Sequence, residues 1–130
     1  MLEINLPEVV AEVGLAYARY ERALEDNDVE MLNQLFWDSP LTIRYGTGEN
    51  LYGHNEIAAF RSARTPSATA KKRSRTVVTT YGTDIGTVNT LFERDSAPDK
   101  IGRQSQTWLR TPEGWRVVSA HVSIIDRSRQ

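Results

Sequence analysis

Leu35-Phe36-Trp37-Asp38-Ser39-Pro40-Leu41-Thr42-Ile43-Arg44-Tyr45 carries the chain from the apolar end of a helix into a short strand. In that strand Leu41, Ile43 and Tyr45 share one face, and Thr42 and Arg44 share the other. Two large aromatics lie just upstream, so the strand is at least half buried. Arg44 then either reaches solvent or charges a cavity, and the apolar flanks favour the cavity. Arginine is almost never fully buried without a partner, so an inward Arg44 requires something anionic to meet it.

Upstream, Pro7 sits where a first-turn proline is tolerated, because its missing N–H would be unpaired there anyway. From Val9, the positions Val13, Tyr17, Tyr20 and Leu24 recur at helical spacing and describe one face of a first helix. Asn27 with Glu30 reads as a capping-box-like start of a second helix. That helix buries Val29, Leu32, Leu35 and Phe36 and ends at Ser39-Pro40.

Downstream, Gly46-Thr47-Gly48 turns the chain into a short strand at Asn50-Leu51-Tyr52-Gly53. A third helix is predicted from about Asn55 to Arg64, with Ile57, Ala58 and Phe60 toward its buried side. Thr65 to Ser74, which carries Lys71, Lys72 and Arg73, reads as a solvated basic loop. Thr76 to Tyr81 and Thr87 to Phe92 are β-branched and aromatic, and predict two strands around a turn at Gly82 to Gly86. Arg103 to Arg110 and Trp115 to Ile125 predict two more, joined across Thr111-Pro112-Glu113-Gly114. Helices on one side of an antiparallel sheet make an α+β fold. With no repeat and no change of composition, residues 1–130 are expected to form one domain. A bent sheet wrapped over the first helix leaves a cone with a mouth, where pockets are usual.

Sixteen basic against seventeen acidic residues give a net charge of −1. That balance argues against a general nucleic-acid binder, whose affinity rests on neutralising phosphates. With no cysteine there is no disulfide, thiolate nucleophile or thiolate metal site. Glu3 and Glu8 stand where a signal peptide would be apolar, and no run approaches the ~18 apolar residues of a membrane span. A cytoplasmic protein without membrane contact is expected.

Several residues could carry chemistry. Tyr20 is either a core aromatic or a proton donor, since a phenol beside a guanidinium gives up its proton more readily. Arg44 offers a planar fork suited to a carboxylate. Ser119, His121 and Ser123 share a face of the last strand with Trp115, Val117 and Ile125. Val118, Ala120, Val122 and Ile124 make the other, wholly apolar face. The mixed face reads as a cavity wall, though a lone strand histidine is more often structural. His54 reads as a loop or capping residue. On the strand Gly102 to Trp108, Gln104 and Gln106 share a face with Trp108, and Arg103 and Ser105 share the other. Alternation leaves open which face lines a pocket and which could serve a dimer. Arg61 and Arg64 read as solvated arginines near the mouth. There is no glycine-rich phosphate loop, no G-x-S-x-G elbow and no metal-ligand spacing. Neither a metal nor an organic cofactor is expected.

The pieces Leu35-Phe36-Trp37, Ser39-Pro40, Arg44, Glu49 to Gly53, Phe60-Arg61, Thr79 to Gly82, Asn89-Thr90, Gly102 to Trp108, Gly114-Trp115-Arg116 and Ala120 to Ser123 occur in order. Together they resemble the AtzH-like family (DUF3225), which includes the HpxZ proteins of oxalurate catabolism. That family lies in the SnoaL-like, NTF2-like superfamily. The resemblance implies a cone of three helices packed against a strongly curved antiparallel sheet, and a homodimer packed through that sheet. It also implies a decarboxylating amidohydrolase that takes 1,3-dicarboxyurea to allophanate, with a helix-1 tyrosine and a first-strand arginine as its catalytic pair. Those roles fall here on Tyr20 and Arg44, with His121, Trp37, Ser105 and Arg64 expected to bind a small anionic substrate. Other relatives accompany an amidase in purine or oxalurate pathways, which implies a non-catalytic, ligand-binding partner as the alternative. One position departs from the family pattern: Leu91 stands where an acidic residue follows Asn-Thr.

Overall fold

The computed structural model describes residues 2–64 and 71–129. The elements are α1 (Pro7–Glu25), α2 (Val29–Leu35), β1 (Ile43–Tyr45), β2 (Asn50–Tyr52), α3 (His54–Ala63), β3 (Lys71–Tyr81), β4 (Ile85–Arg94), β5 (Lys100–Thr111) and β6 (Gly114–Asp126), followed by a short 3-10 turn. The six strands make one curved, open sheet in the order β2-β1-β6-β5-β4-β3. All neighbours are antiparallel except β1 and β6, which run parallel. The three helices and this sheet form the expected α+β cone.

Helix α1 begins on Pro7 and buries Val9, Val13, Ala16, Tyr17, Tyr20 and Ala23, the face that its periodicity predicts. It lies on the inner sheet face against Val88, Trp108, Val117 and Ala120. Gly86 permits the close approach, since a Cβ there would meet Val13 Cγ2 at 2.9 Å. Glu12 ties the helix to the β5–β6 hairpin, accepting from Trp115 Nε1 at 2.9 Å and pairing with Arg110 at 2.9 Å.

Helix α2 departs from expectation at both ends. Its cap is Asp28, whose carboxylate accepts from the Met31 N–H at 3.0 Å, while Asn27 takes a left-handed φ of 52°. The helix stops at Leu35, ahead of Ser39-Pro40, because the next residues pair with the sheet instead. Phe36 bridges Val117 in parallel, and the Trp37 N–H donates to the Val117 carbonyl at 2.9 Å.

The basic loop expected over Thr65 to Ser74 also needs correction. Its residues 65–70 lie outside the described residues, but Lys71 to Ser74 already form the start of β3 and pair with β4. Two of their charges are met individually, while Lys72 stays exposed: Arg73 pairs with Glu21, and Lys71 stands over the Phe92 ring at 4.4 Å. A bulge between Ser74 and Val77, with Arg75 at a φ of 53°, then re-aims the strand.

A second bulge governs the far end of the sheet. Thr107 pairs with Ser119 but Trp108 with Val117, which leaves Val118 as the extra residue on β6. Trp115 and Val117 are buried before the bulge, and Ala120 after it. A one-residue slip exchanges the faces of everything beyond it. Gly102 of β5 supports the buried Phe92, since a Cβ built there would overlap that ring. We expect Gly102→Ala to cost about 1–3 kcal/mol, the usual range for forcing extra bulk into a packed core. An unchanged urea midpoint would count against that packing.

Among the described residues no helix is long and apolar enough to cross a membrane.

Candidate functional site

Arg44 faces inward. It is 9% exposed, whereas Ile43 and Tyr45 on the opposite face are half-buried, and Leu41, expected on that face, lies in the turn before β1. The register lays Arg44 beside Ala120, Ala120 beside Gln106, and Gln106 beside Val88 in one row across the inner face. The anion that meets Arg44 comes from the chain itself. Nη1 donates to Glu49 Oε2 at 2.8 Å, and Glu49 Oε1 accepts from the Gly48 N–H at 3.2 Å in the β1–β2 turn. Phe60 of α3 lies 6.0 Å from the guanidinium.

Arg61 is the residue that sequence reasoning missed. It was expected in solvent, yet it is 4% exposed. Its guanidinium lies 4.7 Å from the centroid of the Phe36 ring, and Nη1 donates to Asn33 Oδ1 at 3.2 Å. Nε is buried and has no hydrogen-bond partner among the described residues. Burial pulls this group down to about 10, and the Arg44 and Arg64 charges push the same way, while Tyr20 opposes them. The signal was available: Arg61 follows the buried Ile57 by four residues, so both lie on one helical face.

Arg64, at the C-cap of α3, is exposed. Burial and then Arg44 lower it, with Tyr20 and Glu49 acting in the opposite sense. Tyr20 itself is buried between Tyr17 and Phe36, with ring centroids 6.3 and 6.2 Å away. It is within electrostatic reach of both Arg61 and Arg64. Three of the expected residues therefore converge with Arg61: Tyr20, Arg44 and Arg64.

The wall of this site is glutamine, not histidine. Gln104 and Gln106 are buried on the inner face with Trp108. Gln106 Oε1 accepts from Trp108 Nε1 at 3.0 Å, and Gln106 Nε2 is buried without a hydrogen-bond partner among the described residues. Such a donor is costly to leave unmade. These two glutamines are thus interior groups and no interface.

His121 and Ser105 are placed elsewhere. They are register partners on the outer face, both exposed, and His121 packs edge-on to Tyr45 at 5.8 Å. Ser105 Oγ donates to Asn89 Oδ1 at 2.6 Å. The expected serine–histidine cavity wall fails because the Val118 bulge turns Ser119, His121 and Ser123 away from Trp115 and Val117. Trp37 is half-buried, and its backbone bonds run to Val117, Ser39 and Thr42. His54 opens α3, with Nε2 at 2.7 Å from the Asn33 carbonyl, a structural role.

A family profile for AtzH-like proteins matches residues 2–128. The chain belongs to the AtzH-like family. Two similar crystal structures cover nearly the whole chain. A cystatin-like fold protein from Burkholderia xenovorans LB400 is 48% identical, with a TM-score of 0.92 over 97% of this chain and 98% of that one. A DUF3225 protein of unknown function from Pectobacterium atrosepticum SCRI1043 is 50% identical, with a TM-score of 0.91 over 95% of each. An NTF2-like family protein from Streptomyces avermitilis, 21% identical, has a TM-score of 0.76 over 91% of this chain and 97% of that one, a likeness of fold alone. No curated protein matches the chain. The AtzH-like cone thus encloses buried arginines, a phenol and an amide donor.

Proposed function

We propose that this AtzH-like protein is a decarboxylating amidohydrolase acting on a small carboxylated urea. The observation that carries the reading is the pair of buried guanidiniums, Arg44 and Arg61, with Arg61 within electrostatic reach of Tyr20 and its Nε buried without a hydrogen-bond partner among the described residues. Buried charge and unmade donors are costly unless something completes them, and a carboxylate does so. Arg44 holds the substrate carboxylate on the part of its fork not engaged by Glu49. Gln106 Nε2 donates to the urea carbonyl. The bond between nitrogen and the carboxyl carbon then breaks, its electron pair passes to nitrogen, and carbon dioxide leaves. Tyr20 delivers the proton that the departing nitrogen requires, and solvent restores it. The guanidinium of Arg61 faces the phenolate that remains, which is electrostatic stabilisation by a group already in place.

The test is carbon dioxide and ammonia release from carboxylated ureas and from oxalurate, measured with the purified protein. Release above the buffer rate that disappears in Arg44→Lys supports the reading. No release from any of these compounds, alongside measurable carboxylate binding, would replace it with the alternative of a ligand-binding partner for an amidase.

A further inference from the structure

The chain has three lysines, Lys71, Lys72 and Lys100, and each is held differently. Lys72 is exposed, and Lys100 is paired with Asp126, which raises its ammonium. Lys71 Nζ instead stands 4.4 Å from the centroid of the buried Phe92 ring. Its cross-strand partner Arg94 lies over the same ring, with Cζ at 5.6 Å. Arg94 Nε is buried without a hydrogen-bond partner among the described residues. The charges that act most on Lys71 are all positive: Arg94 of β4, Arg73 of β3, Arg64 of α3 and Arg44 of β1. Acids of neighbouring elements are engaged, Glu21 and Glu25 of α1 by Arg73 and Glu49 by Arg44. Among the described residues no acid pairs with Lys71 or Arg94, and residues 65–70 contain neither Asp nor Glu.

These surroundings favour a neutral amine, because burial penalises an ammonium and the arginines repel it. A desolvated lysine beside other cations is a nucleophile at neutral pH. What the cluster lacks is an anion, and an amine acquires one by taking up carbon dioxide. We propose that Lys71 is a carbamylation site, where carbon dioxide adds reversibly to Nζ and the carbamate is held by Arg94 and Arg64. The lone pair of neutral Nζ forms the N–C bond, one C=O π pair moves onto oxygen, and Nζ loses a proton to solvent. Nothing is oxidised or reduced, and dissolved carbon dioxide is the co-reactant. The modified side chain is negative where the ammonium was positive, and it offers a carboxylate to two planar guanidinium forks. The modification goes beyond the reaction proposed above and rests on none of its steps.

Lys71 gives the modification a pH dependence. Burial, then the four arginines, pull its ammonium down to about 7. Only the neutral amine reacts, and the carbamate releases a further proton as it forms. At fixed carbon dioxide pressure, occupancy therefore rises with pH, most steeply below that value.

The experiment is carbon NMR of the purified protein under isotopically labelled carbon dioxide, followed by trapping with triethyloxonium and peptide mass spectrometry to locate the carbamate. Near neutral pH, occupancy at Lys71 is expected to exceed that at Lys72 and Lys100 about tenfold or more, since an ordinary lysine holds little free amine there. Any carbamate on the α-amino group is set apart by its peptide. Lys71→Met should remove the Lys71 resonance. Arg94→Gln should weaken carbon dioxide uptake about tenfold, the worth of one charge-assisted hydrogen bond. The wild-type map needs no variant to fold. No carbamate on Lys71, equal labelling of the three lysines, occupancy that falls as pH rises at fixed carbon dioxide pressure, or undiminished uptake in Arg94→Gln would each overturn the proposal. Because every readout is the modification itself, a failure of turnover leaves this result separate.

Discussion

Glu49→Gln is expected to lower stability by about 1–3 kcal/mol, and Arg44→Gln by clearly less, although the two side chains make one partly buried ion pair. Removing one member of a buried pair ordinarily leaves the other uncompensated, so the two losses should be similar. Here the surroundings break the symmetry. Without Arg44, Glu49 still acts on Arg64, and the repulsion that Arg44 exerts on Arg61, Arg64 and Lys71 is relieved. Without Glu49, those four cations keep their mutual repulsion and lose the acid set against it. Urea midpoints of the two variants at low salt provide the measurement. Added malonate should recover more of the Glu49→Gln loss than of the Arg44→Gln loss, since an external carboxylate replaces the missing one. Equal losses, or the reverse order, would show that the cluster is less coupled than its geometry implies.

Tyr20→Phe is expected to reduce kcat for carbon dioxide release by about 10²–10⁴-fold, the range for losing a positioned proton donor. The ring packing against Tyr17 and Phe36 survives the change, so melting temperature and carboxylate affinity should scarcely move. Tyr17→Phe is the matching control. Tyr17 is buried one helical turn away, and its hydroxyl has no hydrogen-bond partner among the described residues. Burial, then the Glu21 charge, raise its phenol and keep it protonated. Because that hydroxyl faces the Glu21 carboxylate, deleting it should change stability by no more than about 1 kcal/mol. If Tyr17→Phe and Tyr20→Phe slow turnover equally, the proton donor is neither, and the core packing is responsible.

Helix α1, the buried Leu32 and Leu35 of α2, Ile57 of α3, and the long strands β4 to β6 were legible in the chain because periodicity records which side of an element is apolar. The same pattern placed Arg44 inside, from its position between apolar residues in a short strand. Arg61 could have been found that way too, had its four-residue spacing from Ile57 outweighed the habit of putting arginine in solvent. Asp28 could not be separated from Asn27 as a cap by pattern, since both residue types serve.

What only the tertiary structure decided depends on contacts between distant residues or on one local irregularity. Strand alternation assumes an unbroken ladder, so it carried Ser119, His121 and Ser123 onto the face of Trp115. The bulge at Val118 reverses that face, and no composition signal marks it. Lys71 to Ser74 read as a solvated loop because charge runs usually are. Their strand sets Lys71 over Phe92 and Arg73 against Glu21, partners far away in sequence. The sequence by itself determined an α+β cone with an arginine turned into it. Folding determined which groups join that arginine, because the charge balance of a buried site is a property of neighbours, and neighbours exist only once the sheet has closed over the helix.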